Sequence, residues 1–138
     1  MTEGDLPGFT LDAVPGLYAI CRLEPYAMVP AWATRGVFCS VTRTPTELSV
    51  VCDASGVPSP VRSEGPWRAL AVRGPLDFNL TGVLASLTGP LAEAGISLFA
   101  VATFDTDYVL VRAQDFDRAL HTLVEAGHRD GAVSSGPR

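Results

Sequence analysis

Apolar residues fall into short runs in the first half of the chain and into a helical rhythm in the second. Residues 9–12 and 17–23 read as two strands parted by Val14-Pro15-Gly16, a turn signal. Residues 24–35 hold Pro25 and Pro30 and read as a loop with one helical turn around Ala31 to Thr34. Residues 37–43 and 47–52 are rich in β-branched side chains and read as a hairpin closed by Thr44-Pro45-Thr46. Residues 53–66 carry Gly56, Pro58, Pro60, Gly65 and Pro66 and read as a linker. A division into residues 1–63, residues 64–133 and a frayed tail at 134–138 follows.

After the linker, residues 67–73 read as a strand stopped by Gly74-Pro75. Leu80, Val83, Leu84, Leu87, Leu91 and Ala94 then recur at spacings of 3, 4, 7, 11 and 14 from Leu80, one face of a 3.6-residue period. Asn79 or Thr81 is placed to cap that helix, Gly89-Pro90 to kink it, and Gly95 to end it. Residues 96–103 and 107–112 read as strands around the turn Phe104-Asp105-Thr106. Asp115 and Asp117 favour the first turn of a second helix that Gly127 closes, and a last short strand is expected over residues 129–133. The order is β-α-β-β-α with a final strand, an α+β arrangement of the ferredoxin-like kind: an antiparallel sheet with helices on one face. The opposite sheet face, with Ser97, Phe99 and Val101 or their alternates, stays largely apolar and calls for cover by a second module or a subunit.

Composition narrows the chemistry. Of 138 residues 47% are hydrophobic and 18% charged, enough for a core. A net charge of −5, scattered arginines and no lysine argue against nucleic acid, and rule out a Schiff-base lysine or a P-loop. The acidic N-terminus lacks an apolar leader and no apolar run suits a membrane helix, so a cytoplasmic location is expected. Cys21, Cys39 and Cys52 read as buried free thiols, and His121 and His128, seven residues apart, as partly exposed helix-end histidines. No metal, cofactor or catalytic motif emerges, and a non-enzyme is expected.

The phrase GPLDFNLTGVLASLTGPLAEAGISLFAVATFDTDYVLV, within residues 67–128, resembles the small tandem ACT-domain proteins related to the ACT modules of the cytosolic arginine sensors. FCSVTRTPTELSVVC resembles their companion module. The resemblance implies a reduced, strand-rich first module and a fuller second one. It also implies a free amino acid held at the seam between modules, and a regulatory sensor that assembles as a homodimer. Ser40 and Val41 match one wall of the relatives' pocket. Residues 77–82, with Asp77, Leu80, Thr81 and Gly82, match the other, together with Thr103, Phe104 and Asp107. Leu80 stands where the arginine sensors carry an acidic residue, so an apolar or aromatic amino acid fits better than arginine, although Asp77 is near enough to substitute. The competing reading is a non-catalytic interaction module whose pocket has closed on Leu80.

Overall fold

The computed structural model describes residues 8–134. Seven strands are present among them: β1 (Thr10–Leu23), β2 (Ser40–Arg43), β3 (Leu48–Asp53), β4 (Arg62–Val72), β5 (Leu98–Ala102), β6 (Asp107–Arg112) and β7 (Arg129–Asp130). The helices are α1 (Val83–Glu93), α2 (Phe116–Glu125) and the single turn α3 (Gly131–Ser134). Contacts divide the chain into one unit of residues 1–13 with 70–138, and another of residues 14–69. The boundary expected at residue 63 falls within β4, which, like β1, runs through both units. The expected tail beyond residue 134 and the acidic residues 1–7 lie outside the described residues.

In the unit of residues 70–138, the strand order is β7-β1-β4-β6-β5, with β5 antiparallel to β6 from Leu98↔Val111 to Ala102↔Asp107. Val109 and Val111 turn their side chains to the core, where Leu87 and Leu91 of α1 and Ala119 and Leu123 of α2 meet them. Both helices end on a left-handed glycine, Gly95 (φ 74°) and Gly127 (φ 110°). After α1, Gly95 N–H donates to Ala92 and Ile96 N–H to Leu91. After α2, Gly127 N–H donates to Val124 and His128 N–H to Leu123. These paired bonds satisfy carbonyls a helix end would otherwise strand, and only glycine adopts the conformation without a Cβ penalty. An ion pair, Arg73 to Asp12 at 2.6 Å, ties the end of β4's exit to β1.

The unit of residues 14–69 repeats the plan with the order β2-β3-β1-β4. Its helices are reduced to 3-10 turns, Ala31–Thr34 and Ala54–Gly56. Alternate residues Ala19 and Cys21 of β1 and Leu48, Val50 and Cys52 of β3 pack beneath them with Ala33, and Trp32 covers that core. The α+β, ferredoxin-like architecture with a reduced first module is therefore present.

Several local expectations are corrected. Residues 9–12 and 17–23 form one strand: Val14-Pro15-Gly16 is carried within β1, with Gly16 at φ 101° and Tyr18 Oη donating to the Pro15 carbonyl at 2.6 Å. The stretch is exposed, so proline's missing donor strands nothing. β4 starts at Arg62, inside the expected linker, and Gly65 lets it approach Tyr18: a Cβ there would lie 2.9 Å from the Tyr18 carbonyl. The last strand stops at Asp130 and gives way to α3. Cys39 is exposed; Cys21 and Cys52 are buried as expected, and burial with the neighbouring Cys21 pushes the Cys52 thiol up to about 12.

His128 is buried rather than partly exposed, at 6%. Its Nδ1 accepts the Phe9 N–H at 3.1 Å, so its Nε2 carries the proton and donates to the Ser86 carbonyl at 3.0 Å. Pro90 lies inside α1 and cannot donate to residue 86, four positions earlier. His128 supplies the donor that Pro90 lacks. His121, by contrast, is exposed beside Glu125.

Candidate functional site

The loop from β4 to α1 is shaped by its own polar groups. Asp77 Oδ1 accepts the Asn79 N–H at 2.9 Å, and the Asp77 carbonyl accepts the Leu80 N–H at 3.0 Å. Those bonds make residues 77–80 a separate turn, so neither Asn79 nor Thr81 caps the helix. Gly82 does, at φ 79°, without a side-chain hydrogen bond. The first bond of the helix is Ser86 N–H to the Gly82 carbonyl at 3.0 Å. The preceding N–H groups of Val83, Leu84 and Ala85 have no partner within the helix, and the positive end of the helix dipole is uncapped.

Opposite this loop is the turn between β5 and β6. Thr103 N–H donates to the Thr106 carbonyl at 2.8 Å. The Thr103 hydroxyl donates to that carbonyl at 2.8 Å and accepts the Thr106 N–H at 3.2 Å. Two bonds fasten turn to loop: Leu76 N–H to the Asp105 carbonyl at 2.8 Å, and Thr106 Oγ1 to the Val72 carbonyl at 2.6 Å. Gly74 permits the approach, since a Cβ there would meet the Asp105 carbonyl at 3.1 Å.

Between loop and turn lies a cavity of about 300 Å³, the lower end of the range for small-molecule sites. Asp77, Leu80, Gly82, Thr103, Phe104 and Asp107, all singled out from sequence, line it. Thr81 belongs to the loop but not to the lining, and Ser40 and Val41 lie on β2, in the other unit. Leu76, Phe78, Val83, Leu84, Ala102, Asp105 and Thr106 complete the wall; of these, Phe78 lies within the stretch 77–82 that the resemblance pointed to. Phe78 is one of the apolar residues of that loop, with Leu76 and Leu80. It meets Phe104 with ring centroids 5.3 Å apart, both rings being mostly exposed. The Thr103 hydroxyl is engaged within its turn, and one Asp77 oxygen is engaged within its loop.

The cavity thus has three chemical sectors. Unsatisfied helix N–H groups suit an anion. The Asp77, Asp105 and Asp107 carboxylates suit a cation. Leu76, Leu80, Leu84, Phe78 and Phe104 suit an apolar group. Among the described residues no cluster could hold a metal, and no helix is long and apolar enough to cross a membrane.

Known proteins share this build. A sequence model of the ACT domain matches residues 62–125, and one described as an N-terminal domain matches residues 16–60. The cytosolic arginine sensor for mTORC1 subunit 1 of Bos taurus is 33% identical over 101 residues, 65% of this chain and 31% of that protein. Its Mus musculus counterpart is 30% identical over 123 residues, 82% and 37% respectively. The chain spans about a third of the length of those sensors. A crystal structure from Agobacterium tumefaciens is 40% identical with a TM-score of 0.85, covering 90% of this chain and 92% of that one. The aspartate kinase of Clostridium acetobutylicum, described as allosteric, shares the fold at 11% identity with a TM-score of 0.64, over 91% of this chain and 36% of its own. Residues 62–125 belong to the ACT-domain family.

Proposed function

We propose that this protein is a regulatory amino-acid-binding module and that its ligand sits in the cavity between residues 76–84 and 102–107. The observation that carries the reading is the opposition of an α1 N-terminus without a side-chain cap to Asp105 and Asp107 across one small cavity. A zwitterion is the small ligand whose two charges match both sides at once. Its carboxylate would take the free N–H groups near Gly82 to Leu84, worth about 0.3–1 kcal/mol from the helix dipole alone at an exposed site. Its ammonium would face Asp107, which stands at the first position of β6, or Asp105. The side chain would then lie against Leu80 and the Phe78–Phe104 pair. That surface favours an apolar or aromatic amino acid over arginine, whose guanidinium finds no anion at position 80. The relatives named as arginine sensors support amino-acid sensing in general. A regulatory rather than catalytic role, and a homodimeric assembly in the cytoplasm, belong to the same proposal.

The test is a thermal-shift screen against the twenty amino acids. A ligand at 100 times its dissociation constant adds about 2.7 kcal/mol to stability, which moves the melting temperature of a chain this size by several degrees. We expect one or a few apolar or aromatic amino acids to stabilise the protein and Asp107→Ala to abolish the shift. Stabilisation by none of the twenty, or an undiminished shift in Asp107→Ala, refutes the reading.

A further inference from the structure

The two units share a plan down to individual hydrogen bonds. In each, the second and third strands are joined by a four-residue turn that opens on threonine, residues 44–47 in one and 103–106 in the other. Thr44 N–H donates to the Glu47 carbonyl at 2.9 Å, as Thr103 N–H does to Thr106. The Thr44 hydroxyl accepts the Glu47 N–H at 3.1 Å, again as Thr103 does in its turn. The last ladder pairs before the turns are Arg43↔Leu48 and Ala102↔Asp107. Arg43 is therefore the counterpart of Ala102, and the loop of residues 24–30 the counterpart of the loop of residues 73–82.

What stands at that shared position differs. Ala102 contributes only a methyl group and lines the open cavity. Arg43 extends a guanidinium over its own loop and donates to the Ala27 carbonyl at 2.8 Å and to the Pro25 carbonyl. The carbonyl at the third turn position follows the same logic. Asp105 receives a loop N–H, from Leu76, whereas Thr46 receives Arg22 Nη2 at 2.8 Å. Where residues 70–138 present helix N–H groups, residues 14–69 have a 3-10 turn preceded by Pro30 and present carbonyls instead. Carbonyl oxygens converging on one spot select a cation with several donors, and guanidinium offers five in a fixed fork.

We infer that Arg43 is a tethered occupant: its exposed side chain lies, in cis, across the position in residues 14–69 that corresponds to the open cavity of residues 70–138, and its removal frees the two loop carbonyls for a free guanidinium. The geometry of Arg43 stands by itself; only the parallel with a bound amino acid rests on the proposed function.

Arg43→Ala deletes the ethylguanidinium portion of the side chain, so ethylguanidinium chloride is the probe. It has neither α-carboxylate nor α-ammonium, which separates this test from the amino-acid screen. We expect Arg43→Ala to melt below the wild type, and ethylguanidinium to raise its melting temperature saturably by a few degrees. The wild type should gain nothing, and methylammonium, a charge without the fork, should not rescue the variant. An Arg43→Ala variant that melts with the wild type, or a probe that acts alike on both, overturns the inference. Should the variant fail to fold, side-chain NMR of the wild type decides. A pinned Arg43 guanidinium shows slowed rotation about Nε–Cζ, whereas a freely averaging one overturns the inference.

Discussion

Replacing His128 by alanine tests how α1 tolerates its proline. The imidazole accepts the Phe9 N–H through Nδ1 and serves the Ser86 carbonyl through Nε2–H. It also stacks on the Phe9 ring, with centroids 5.8 Å apart and planes 17° from parallel. Stranding the buried Phe9 donor costs about 1–3 kcal/mol, and the half-buried Ser86 carbonyl, which water can still reach, about 1 kcal/mol. Lost ring packing adds about 0.5–1.5 kcal/mol. We predict a loss near 3–5 kcal/mol for His128→Ala. The Ser86 share depends on Pro90, because a residue with an N–H at position 90 would bond that carbonyl itself. In a Pro90→Ala background the same histidine substitution should therefore cost about 1 kcal/mol less. Urea unfolding followed by circular dichroism at 222 nm reads this directly, since α1 and α2 both lie in the unit of residues 70–138. Trp32 and Trp67, both within residues 14–69, give a separate fluorescence signal that should move less. Additivity of the two substitutions within about 0.3–0.5 kcal/mol would show that His128 does not stand in for the missing N–H.

Two further outcomes are expected. Leu80→Glu places a carboxylate on the cavity wall in place of a side chain that is 42% exposed. A charge-assisted bond to a ligand guanidinium, discounted for that exposure, is worth about 1–2 kcal/mol, so calorimetry should show arginine gaining about 5- to 30-fold while apolar amino acids weaken; an unchanged order of preference removes Leu80 from the specificity argument. A thiol-disulfide reagent at neutral pH should label Cys39 in the native protein and spare Cys21 and Cys52 until the protein is unfolded, because burial holds both buried thiols protonated, Cys52 up to about 12. Equal labelling rates for the three would contradict their burial.

The parts legible in the sequence are those that a local period encodes. The stripe Val83, Leu87 and Leu91 faces the core as its spacing predicts, β6 occupies the residues expected, and the glycines at 95 and 127 end their helices. What failed depends on partners distant in the chain. Asn79 and Thr81 have the right chemistry to cap α1, but Asp77 engages the turn before them and Gly82 delays the helix. His128 follows a helix-ending glycine and read as partly exposed; the clue was Pro90, which leaves the Ser86 carbonyl in need of a donor that must come from elsewhere. Pro15-Gly16 has the composition of a turn, yet an exposed stretch of strand absorbs both residues.

The candidate site shows the same split. Residues next to the Gly82 motif and the turn at 103–107 could be named from a resemblance, because a ligand approaching backbone needs small or polar residues at fixed places. The aromatic partner of Phe104 and the role of Ala102 could not, because each is defined by what stands across the cavity. Comparing the two units explains why a family plan need not repeat its site. A helix is retained after β4, and its uncapped N–H groups leave the cavity in need of an anion. Only a 3-10 turn follows β1, the loop before it offers carbonyls, and the Arg43 guanidinium answers two of them. The same hairpin turn serves both outcomes, and the side chain one position before it, Ala102 or Arg43, separates an open cavity from a crossed one.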